Sequence, residues 1–313
     1  MKFAYLIMAH NEPYVLEKLI RMLDYPDNDI YIHIDEKSQL INKDALYTNS
    51  AHLVVIPSRN VTWGGVSQVN IVLDLLAEAL KTQHDYYHLI SGVDLPLKKH
   101  SDMVAFFENN NGKEFIGITP NWAESPSIAK RYELHWFFQD KIGKKKNILW
   151  VLSRIITKIE MMFRYKRYKN EKIHFYGGPG WFSITGKAAT YILNHGEWAK
   201  NRFKETICGD EIFIQTIIGN SAFAENIFNK ESGDSYAECL RYARFNGPSP
   251  FVLNIADYNV LVNSNCIFAR KFGTSLPEEK ELVDKILTCT NSTESILFKV
   301  KLSKEYFLLR LKK

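Results

Sequence analysis

Short apolar runs alternate with segments of helical periodicity over the first third of the chain. A continuous apolar run predicts a strand buried on both faces, whereas apolar positions three and four residues apart predict an amphipathic helix. The predicted strands are Lys2–Ala9, Ile30–Asp35, Val54–Pro57, Tyr86–Ile90 and Phe115–Ile118. The predicted helices are Tyr14–Leu23, Ser67–Leu80 and Met103–Asn109. This alternation predicts an α/β fold in which ligands bind beyond the carboxyl ends of parallel strands.

Two acids occupy such strand ends. Asp35 ends the second predicted strand, and Asp94 follows the fourth. Each acid could simply cap the element that comes next, so one of them alone would mean little. Their recurrence in consecutive units favours a ligand-binding cleft at this edge of the sheet.

A later segment carries adjacent carboxylates, Asp210 and Glu211, between Gly209 and the apolar run Ile212–Ile218. Asp210 suits a helix N-cap, because a short carboxylate accepts the free N–H groups of a first turn. The helix dipole would favour Glu211 there as well. The apolar surroundings nevertheless give Glu211 little structural purpose, and we interpret it as a general base at the mouth of a cleft.

The middle of the chain is basic and amphipathic. Trp150–Lys169 is predicted to be helical, with arginine and lysine among its apolar positions. It is either an ordinary surface helix or an interfacial helix lying on anionic lipid. The tail Leu297–Lys313 has the same character. No signal peptide or membrane-spanning run is visible, so we expect a cytoplasmic protein with peripheral contact to the inner membrane face.

Composition narrows the function only a little. The 313 residues carry a net charge of +5, which favours anionic ligands weakly and does not indicate nucleic acid. The four cysteines form no C-x-x-C pair, which argues against a zinc site. Arg270 and Lys271 stand together among apolar residues, either as exposed loop cations or as partners of a diphosphate.

These features together suit sugar transfer from a nucleotide sugar. A carboxylate must take the proton of the attacking acceptor hydroxyl, and the departing diphosphate needs positive charge. Glu211 would supply the first function, and the Arg270-Lys271 pair the second.

The chain resembles the core-2/I-branching β-1,6-N-acetylglucosaminyltransferase family, which also contains the peptide O-xylosyltransferases. Eight motifs carry the resemblance and keep the family order. They are AYLIMAHNE (Ala4–Glu12), IYIHIDEKS (Ile30–Ser38), VTWGGVSQV (Val61–Val69), YYHLISGVDLPLK (Tyr86–Lys98), KRYELH (Lys130–His135), GGPGWFSIT (Gly177–Thr185), GDEIFIQT (Gly209–Thr216) and FARKFG (Phe268–Gly273).

The resemblance implies a glycosyltransferase-A-type fold, a Rossmann-like mixed sheet flanked by helices. It implies inversion at the anomeric carbon without a divalent metal or other cofactor. We expect residues 1–275 to form the catalytic domain and residues 276–313 a basic extension that associates with a membrane. The expected partners are a UDP-sugar and a glycan acceptor, which is lipid-linked in one version of this hypothesis. Nucleic acid is not expected.

The resemblance also implies a role for each matched residue. Glu211 is the expected general base, and Arg270 and Lys271 replace the metal at the diphosphate. The remaining expected donor-site residues are Ala9, His10, Asp35, Gln68 and Asp94, and the expected acceptor-site residues are Glu133, Trp181 and Asp210.

Some positions depart from the animal enzymes of this family. Gln68 stands where they carry an arginine, which puts the uridine contact there in doubt. An arginine that they place near Phe251 is missing, and Arg241 or Arg244 could substitute for it. The lack of an anchor and the few cysteines resemble bacterial members, which usually build surface polysaccharides. We expect UDP-GlcNAc as donor, with UDP-xylose, or a non-catalytic glycan-binding protein, as alternatives.

Overall fold

The predicted alternation of strands and helices continues through the computed structural model, which describes residues 1–169, 171–247 and 249–291. The strands are β1 (Phe3–Ala9), β2 (Asn28–Ile34), β3 (His52–Val55), β4 (Tyr86–Ser91), β5 (Asp94–Pro96), β6 (Phe115–Ile116), β7 (Phe182–Thr185), β8 (Arg241–Ala243), β9 (Phe245–Asn246), β10 (Ser249–Pro250) and β11 (Phe268–Arg270). The helices are α1 (Pro13–Leu23), α2 (Val66–Ala79), α3 (His100–Asn109), α4 (Pro126–Glu133), α5 (Gln139–Ile142), α6 (Ile148–Met162), α7 (Gly186–Asn194), α8 (Gly196–Phe203), α9 (Phe213–Gly219), α10 (Ser235–Glu238), α11 (Tyr258–Val262) and α12 (Pro277–Asn291).

The main sheet has the strand order β3-β2-β1-β4-β7-β6 among the described residues. Its first four strands run parallel, whereas β7 is antiparallel to both β4 and β6. The carboxyl ends of the parallel strands therefore meet at one edge of the sheet. Helices cover both faces, which confirms the predicted α/β fold of the glycosyltransferase-A type.

Strand β1 shows why the sequence of the sheet reads as continuous apolar runs. Phe3, Tyr5 and Ile7 enter the hydrophobic core on one face, with helix α1. Ala4 and Leu6 enter the core on the other face, with helix α2. All five side chains are fully buried. A strand covered on both sides has no polar face to alternate with its apolar one.

A smaller sheet with the order β5-β11-β8 lies beside the carboxyl end of β4. Strand β11 is antiparallel to β5, and in this register Arg270 lies opposite Asp94. The pairing of these two strands thus places Arg270 beside Asp94, which is far away in the sequence.

Helix α12 joins the same core as the main sheet. Leu282, Val283 and Ile286 are buried there, on the side of α1. The division expected at residue 276 stays a prediction. The predicted basic tail Leu297–Lys313 lies outside the described residues.

The helix predicted for Trp150–Lys169 is shorter at its carboxyl end than expected. Helix α6 ends at Met162, and Arg164 adopts a left-handed conformation with φ of 51°. Two basic side chains that follow α6, those of Lys166 and Arg167, contact other residues of the protein. Lys166 Nζ lies 2.7 Å from Glu133 Oε1, and Arg167 Nη1 donates to the Glu205 carbonyl at 2.9 Å. None of the helices in the described ranges has the length and apolar character needed to cross a bilayer.

Candidate active site

Backbone hydrogen bonds draw the ends of the parallel strands together. The Asp35 N–H donates to the Ala9 carbonyl at 2.9 Å, and the Gly92 N–H donates to the Met8 carbonyl at 2.9 Å. His10 follows directly after Ala9. The three residues predicted to hold uridine, Ala9, His10 and Asp35, therefore lie at one edge of the sheet.

The predicted cation pair, Arg270 and Lys271, also affects the pKa of His10. Desolvation lowers the pKa of its imidazole; Asp35 opposes this effect, and Lys271 and Arg270 add to it. Asp35 is itself 3.6 Å from the Lys37 ammonium. Both late cations thus lie within electrostatic reach of His10.

Arg270 is held between an acid and an aromatic ring. Its Nε lies 3.6 Å from Asp94 Oδ1, and its guanidinium carbon lies 4.1 Å from the centre of the Trp181 ring. Asp94 is fully buried and accepts hydrogen bonds from the Ser91 N–H at 2.9 Å and the Ser91 hydroxyl at 2.6 Å. A buried carboxylate needs such partners. Asp94, predicted to border the donor sugar, therefore fixes the position of the cation.

The adjacent carboxylates lie on a short 3-10 turn, Gly209–Glu211, and not on the first turn of a helix. Helix α9 begins at Phe213 and has no side-chain cap. The N-cap interpretation of Asp210 is therefore wrong. Its Oδ2 instead accepts a hydrogen bond from Gln68 Nε2 at 3.2 Å.

This bond also shows where the Gln68 side chain lies, which was predicted to contact uridine. The Gln68 Oε1 atom accepts a hydrogen bond from the Gly64 N–H. In this structure both ends of the amide are engaged at the base of the 3-10 turn. Gln68 therefore contacts Asp210, and nothing in the structure tests whether it also contacts uridine.

Asp210 is electrostatically unusual. Desolvation and the neighbouring Glu211 raise its pKa to about 7. Its Oδ1 is buried without a hydrogen-bond partner among the described residues. A neutral carboxyl is favoured there, because burial penalises the charged form.

Glu211 is more accessible, and an arginine holds it. Arg131 Nη1 donates to Glu211 Oε2 at 2.7 Å, while 44% of the Glu211 side-chain surface remains exposed. Within residues 1–169, 171–247 and 249–291, no hydrogen bond engages its other oxygen, Oε1. The carboxylate is thus oriented and keeps one oxygen available to a ligand.

The glycine-rich segment before β7 supports this turn. The Gly178 N–H donates to the Glu211 carbonyl at 3.0 Å. A Cβ at Gly178 would lie 2.1 Å from the Gly117 carbonyl oxygen, so no side chain fits there. A Cβ at Gly180 would lie 3.2 Å from the Asp210 carbonyl oxygen. Trp181, which follows Gly180, therefore places the ring beneath Arg270 close to the acidic turn.

The phenol of Tyr236 lies within electrostatic reach of both Glu211 and Arg270. Burial raises the pKa of its hydroxyl; among the smaller effects, Glu211 raises it further and Arg270 lowers it. Both charges are therefore within electrostatic reach of this one phenol. Sequence reasoning missed Tyr236, because nothing in the local pattern around α10 distinguishes it.

Sequence reasoning also missed Arg131, although it lies in the KRYELH motif. Glu133 of the same motif was predicted to bind the acceptor, and its carboxylate contacts Lys166 rather than Glu211 or Arg270 in this structure. The motif therefore supplies a direct contact to the predicted base through its arginine.

The two candidate substitutes for the missing arginine have other partners. Arg241 is 2% exposed and donates to the carbonyls of Cys239 at 2.7 Å and Phe182 at 2.9 Å. Arg244 pairs with Asp257 at 2.6 Å. Arg241 thus acts as a buried clamp between β8 and the main sheet, and the suggestion that it replaces a donor-site arginine is wrong.

Comparison with known proteins identifies a matching family and several similar enzymes. A family model described as Core-2/I-Branching enzyme matches residues 3–250. Xylosyltransferase 2 of Rattus norvegicus is 22% identical over 301 residues, which cover 89% of this chain and 33% of that protein. Xylosyltransferase of Ciona intestinalis is 22% identical over 300 residues, with the same 89% and 33% coverage. Xylosyltransferase 1 of Pan troglodytes is 20% identical over 238 residues, covering 72% and 23%.

The chain spans about a third of the length of the first two of these relatives. The family match includes the strand ends, the glycine-rich segment and the turn that bears Glu211, and it ends before Arg270. Since the match covers most of the sequence, the chain belongs to the core-2/I-branching enzyme family.

Proposed function

We propose that the protein is an inverting glycosyltransferase that moves a sugar from a UDP-sugar to a hydroxyl of a glycan acceptor without a divalent metal. The observation that carries this proposal is that one short segment joins Glu211 to Arg270, since the Gly178 N–H donates to the Glu211 carbonyl and the nearby Trp181 ring stacks on the Arg270 guanidinium. Family membership supports the same class of reaction.

Glu211 is the proposed general base. The acceptor hydroxyl gives its proton to the Glu211 carboxylate while its oxygen bonds to the anomeric carbon and the bond to UDP breaks. The exposed fraction of Glu211 lets an acceptor reach it, and Arg131 on Oε2 orients the carboxylate. Burial raises the pKa of Asp210, but its Oδ2 accepts a hydrogen bond from Gln68 and its Oδ1 is buried. We therefore assign Asp210 to support of the turn.

Arg270 and Lys271 are the proposed partners of the departing diphosphate. A guanidinium and an ammonium stabilise the charge that develops on the leaving oxygen. The contact with Asp94 and the stacking on Trp181 support this role, because they fix the guanidinium before the donor binds. At the edge of the sheet the uracil and ribose would lie against Ala9, His10 and Asp35.

As the sugar of the donor we propose GlcNAc, and the alternative is xylose, which the names of the similar xylosyltransferases favour. We further propose that the acceptor is a glycan of bacterial surface polysaccharide, lipid-linked and extended in the cytoplasm. This setting rests on the resemblance to bacterial members of the family. A glycan-binding protein without turnover is the non-enzymatic alternative.

Glu211→Gln should lower turnover by a factor of ~10² or more, because a general base contributes about that much to the rate. UDP affinity should stay unchanged, since the amide keeps the shape of the side chain. Turnover is measured as UDP release, and affinity by calorimetry. Glu197→Gln, an exposed position that pairs with Lys200, is the matched control. Normal turnover in Glu211→Gln would exclude Glu211 as the base.

Lys271→Met and Arg270→Met should each weaken UDP binding about tenfold or more, because each removes a charged contact. EDTA should leave the rate of the unmodified enzyme unchanged. Lys81→Met, at an exposed lysine that pairs with Glu78, serves as the control. If Arg270→Met fails to fold because Asp94 loses its partner, Lys271→Met still provides the test. A rate that EDTA abolishes and Mg²⁺ or Mn²⁺ restores contradicts the proposal.

Asp210→Asn should change how stability depends on pH. A carboxyl whose pKa rises on folding, here from 3.8 to about 7, binds its proton more tightly in the folded state. Its contribution to stability is therefore present at low pH and is lost as pH rises through this window. Across this window the free energy of unfolding of Asp210→Asn should rise relative to that of the unmodified protein, by up to about 1.4 kcal/mol for each pH unit.

Denaturant unfolding at several pH values measures this difference. Asp44→Asn, at an exposed position outside the site, is the matched control. A difference that stays constant or shrinks as pH rises would show that Asp210 is already charged in the folded protein at low pH.

Thermal shift with UDP-GlcNAc and UDP-xylose should separate the two donors. A ligand that binds only the folded state raises the melting temperature according to its affinity. UDP-GlcNAc should give the larger shift and the faster donor hydrolysis, and Lys271→Met should reduce both. A larger shift and faster hydrolysis with UDP-xylose would replace the GlcNAc assignment. Binding of either donor without hydrolysis or transfer would favour the non-enzymatic alternative.

A further inference from the structure

Helix α6 is turned with its polar side inward. Ser153 and Thr157 are buried at 4% and 6% exposure, and the Glu160 side chain is 13% exposed. The outward side is apolar, with exposures between 42% and 74%. We call it the α6 stripe, and it consists of Ile148, Val151, Leu152, Ile155, Ile159, Met162 and Phe163.

Hydrogen bonds to the segment after α4 fix this orientation. The Thr157 hydroxyl lies 2.8 Å from the Ser153 carbonyl and 3.2 Å from the His135 carbonyl, and Glu160 Oε2 accepts from the His135 N–H at 2.9 Å. Glu160 Oε1 also contacts the His135 imidazole. Turning the stripe inward would break these bonds.

The stripe is continuous along the helix. Its members recur at intervals of three and four residues, so they share one face over the whole length of α6. Soluble monomers seldom expose contiguous apolar surface of this kind, and such surface marks an interaction site.

Basic residues surround the stripe. Lys145 and Lys146 are exposed just before the helix, and Arg164 is exposed just after it. Lys158 is exposed and lies on the flank of the stripe, next to Ile159 in sequence and one turn after Arg154. Between residues 141 and 169 the sequence has one acid, Glu160, and it points toward His135. The rim of the stripe is therefore positively charged.

We propose that the α6 stripe docks on an anionic lipid bilayer, with the helix lying in the plane of the interface. Apolar side chains would enter the boundary of headgroups and acyl chains, and the surrounding cations would contact anionic headgroups. A second copy of the chain fits less well, because a symmetric pairing would place two positive rims against each other. This inference goes beyond the proposed transfer reaction and does not depend on the donor.

Sedimentation of the full chain with vesicles tests the proposal. We expect binding to phosphatidylcholine vesicles that contain phosphatidylglycerol, and much weaker binding to phosphatidylcholine alone. Ile155→Glu/Ile159→Glu should lower the bound-to-free ratio about tenfold or more. Lys145→Ser/Lys146→Ser should lower it as well, with a loss that shrinks as salt is added.

Leu40→Glu/Tyr47→Glu is the matched control, because it adds the same charge at apolar residues exposed at 65% and 73% elsewhere. This variant should bind vesicles like the unmodified protein. Donor hydrolysis and circular dichroism should be the same in all variants, which separates this test from that of the reaction. Equal binding to neutral vesicles, or unchanged binding after Ile155→Glu/Ile159→Glu, overturns the proposal. A dimer that this variant abolishes, without vesicle binding, would assign the stripe to a second copy.

Discussion

The candidate site depends on the pairing of Arg270 with Asp94 inside the protein. The side chains are 16% and 1% exposed, so neither charge could remain there alone without a large cost. The antiparallel register of β5 and β11 places them opposite each other, and Ser91 satisfies the carboxylate from the end of β4. A cation from late in the chain is thereby fixed at the edge of the parallel sheet, with Trp181 against its other side.

A second ion pair, between Glu211 and Arg131, lets Glu211 and Arg270 carry opposite charges in the site without pairing with each other. Glu211 is held by Arg131, and Arg270 is held by Asp94. Glu211 and Arg270 thus each have their own partner, while both remain within electrostatic reach of Tyr236. A base paired directly with the diphosphate-binding cation would have to be released before either could act. Separate partners let a proton acceptor and an anion-binding group coexist in one small region.

Local pattern predicted the sheet because β1, Phe3–Ala9, is buried on both faces and its whole length is apolar. Family motifs supplied the candidate residues, but neither source could give their partners. Arg131 and Glu211 are 80 residues apart, and no periodicity encodes a contact over that distance. For Asp210 the preference of aspartate for helix N-caps led to a wrong prediction. The sequence is suitable for a helix cap, yet the hydrogen bond from Gln68 and the 3-10 turn determine its position.

The amphipathic period of α6 was visible in the sequence, but its orientation was not, since periodicity does not say which face a protein covers. The hydrogen bond from the His135 N–H to Glu160 fixes the orientation, and the Thr157 hydroxyl also contacts the His135 carbonyl. His135 ends the KRYELH motif, whose Arg131 holds the proposed base. The proposed membrane face and the proposed catalytic carboxylate are therefore attached to one short backbone segment. On the proposal of a lipid-linked acceptor, the acceptor would approach from the side on which α6 meets the bilayer.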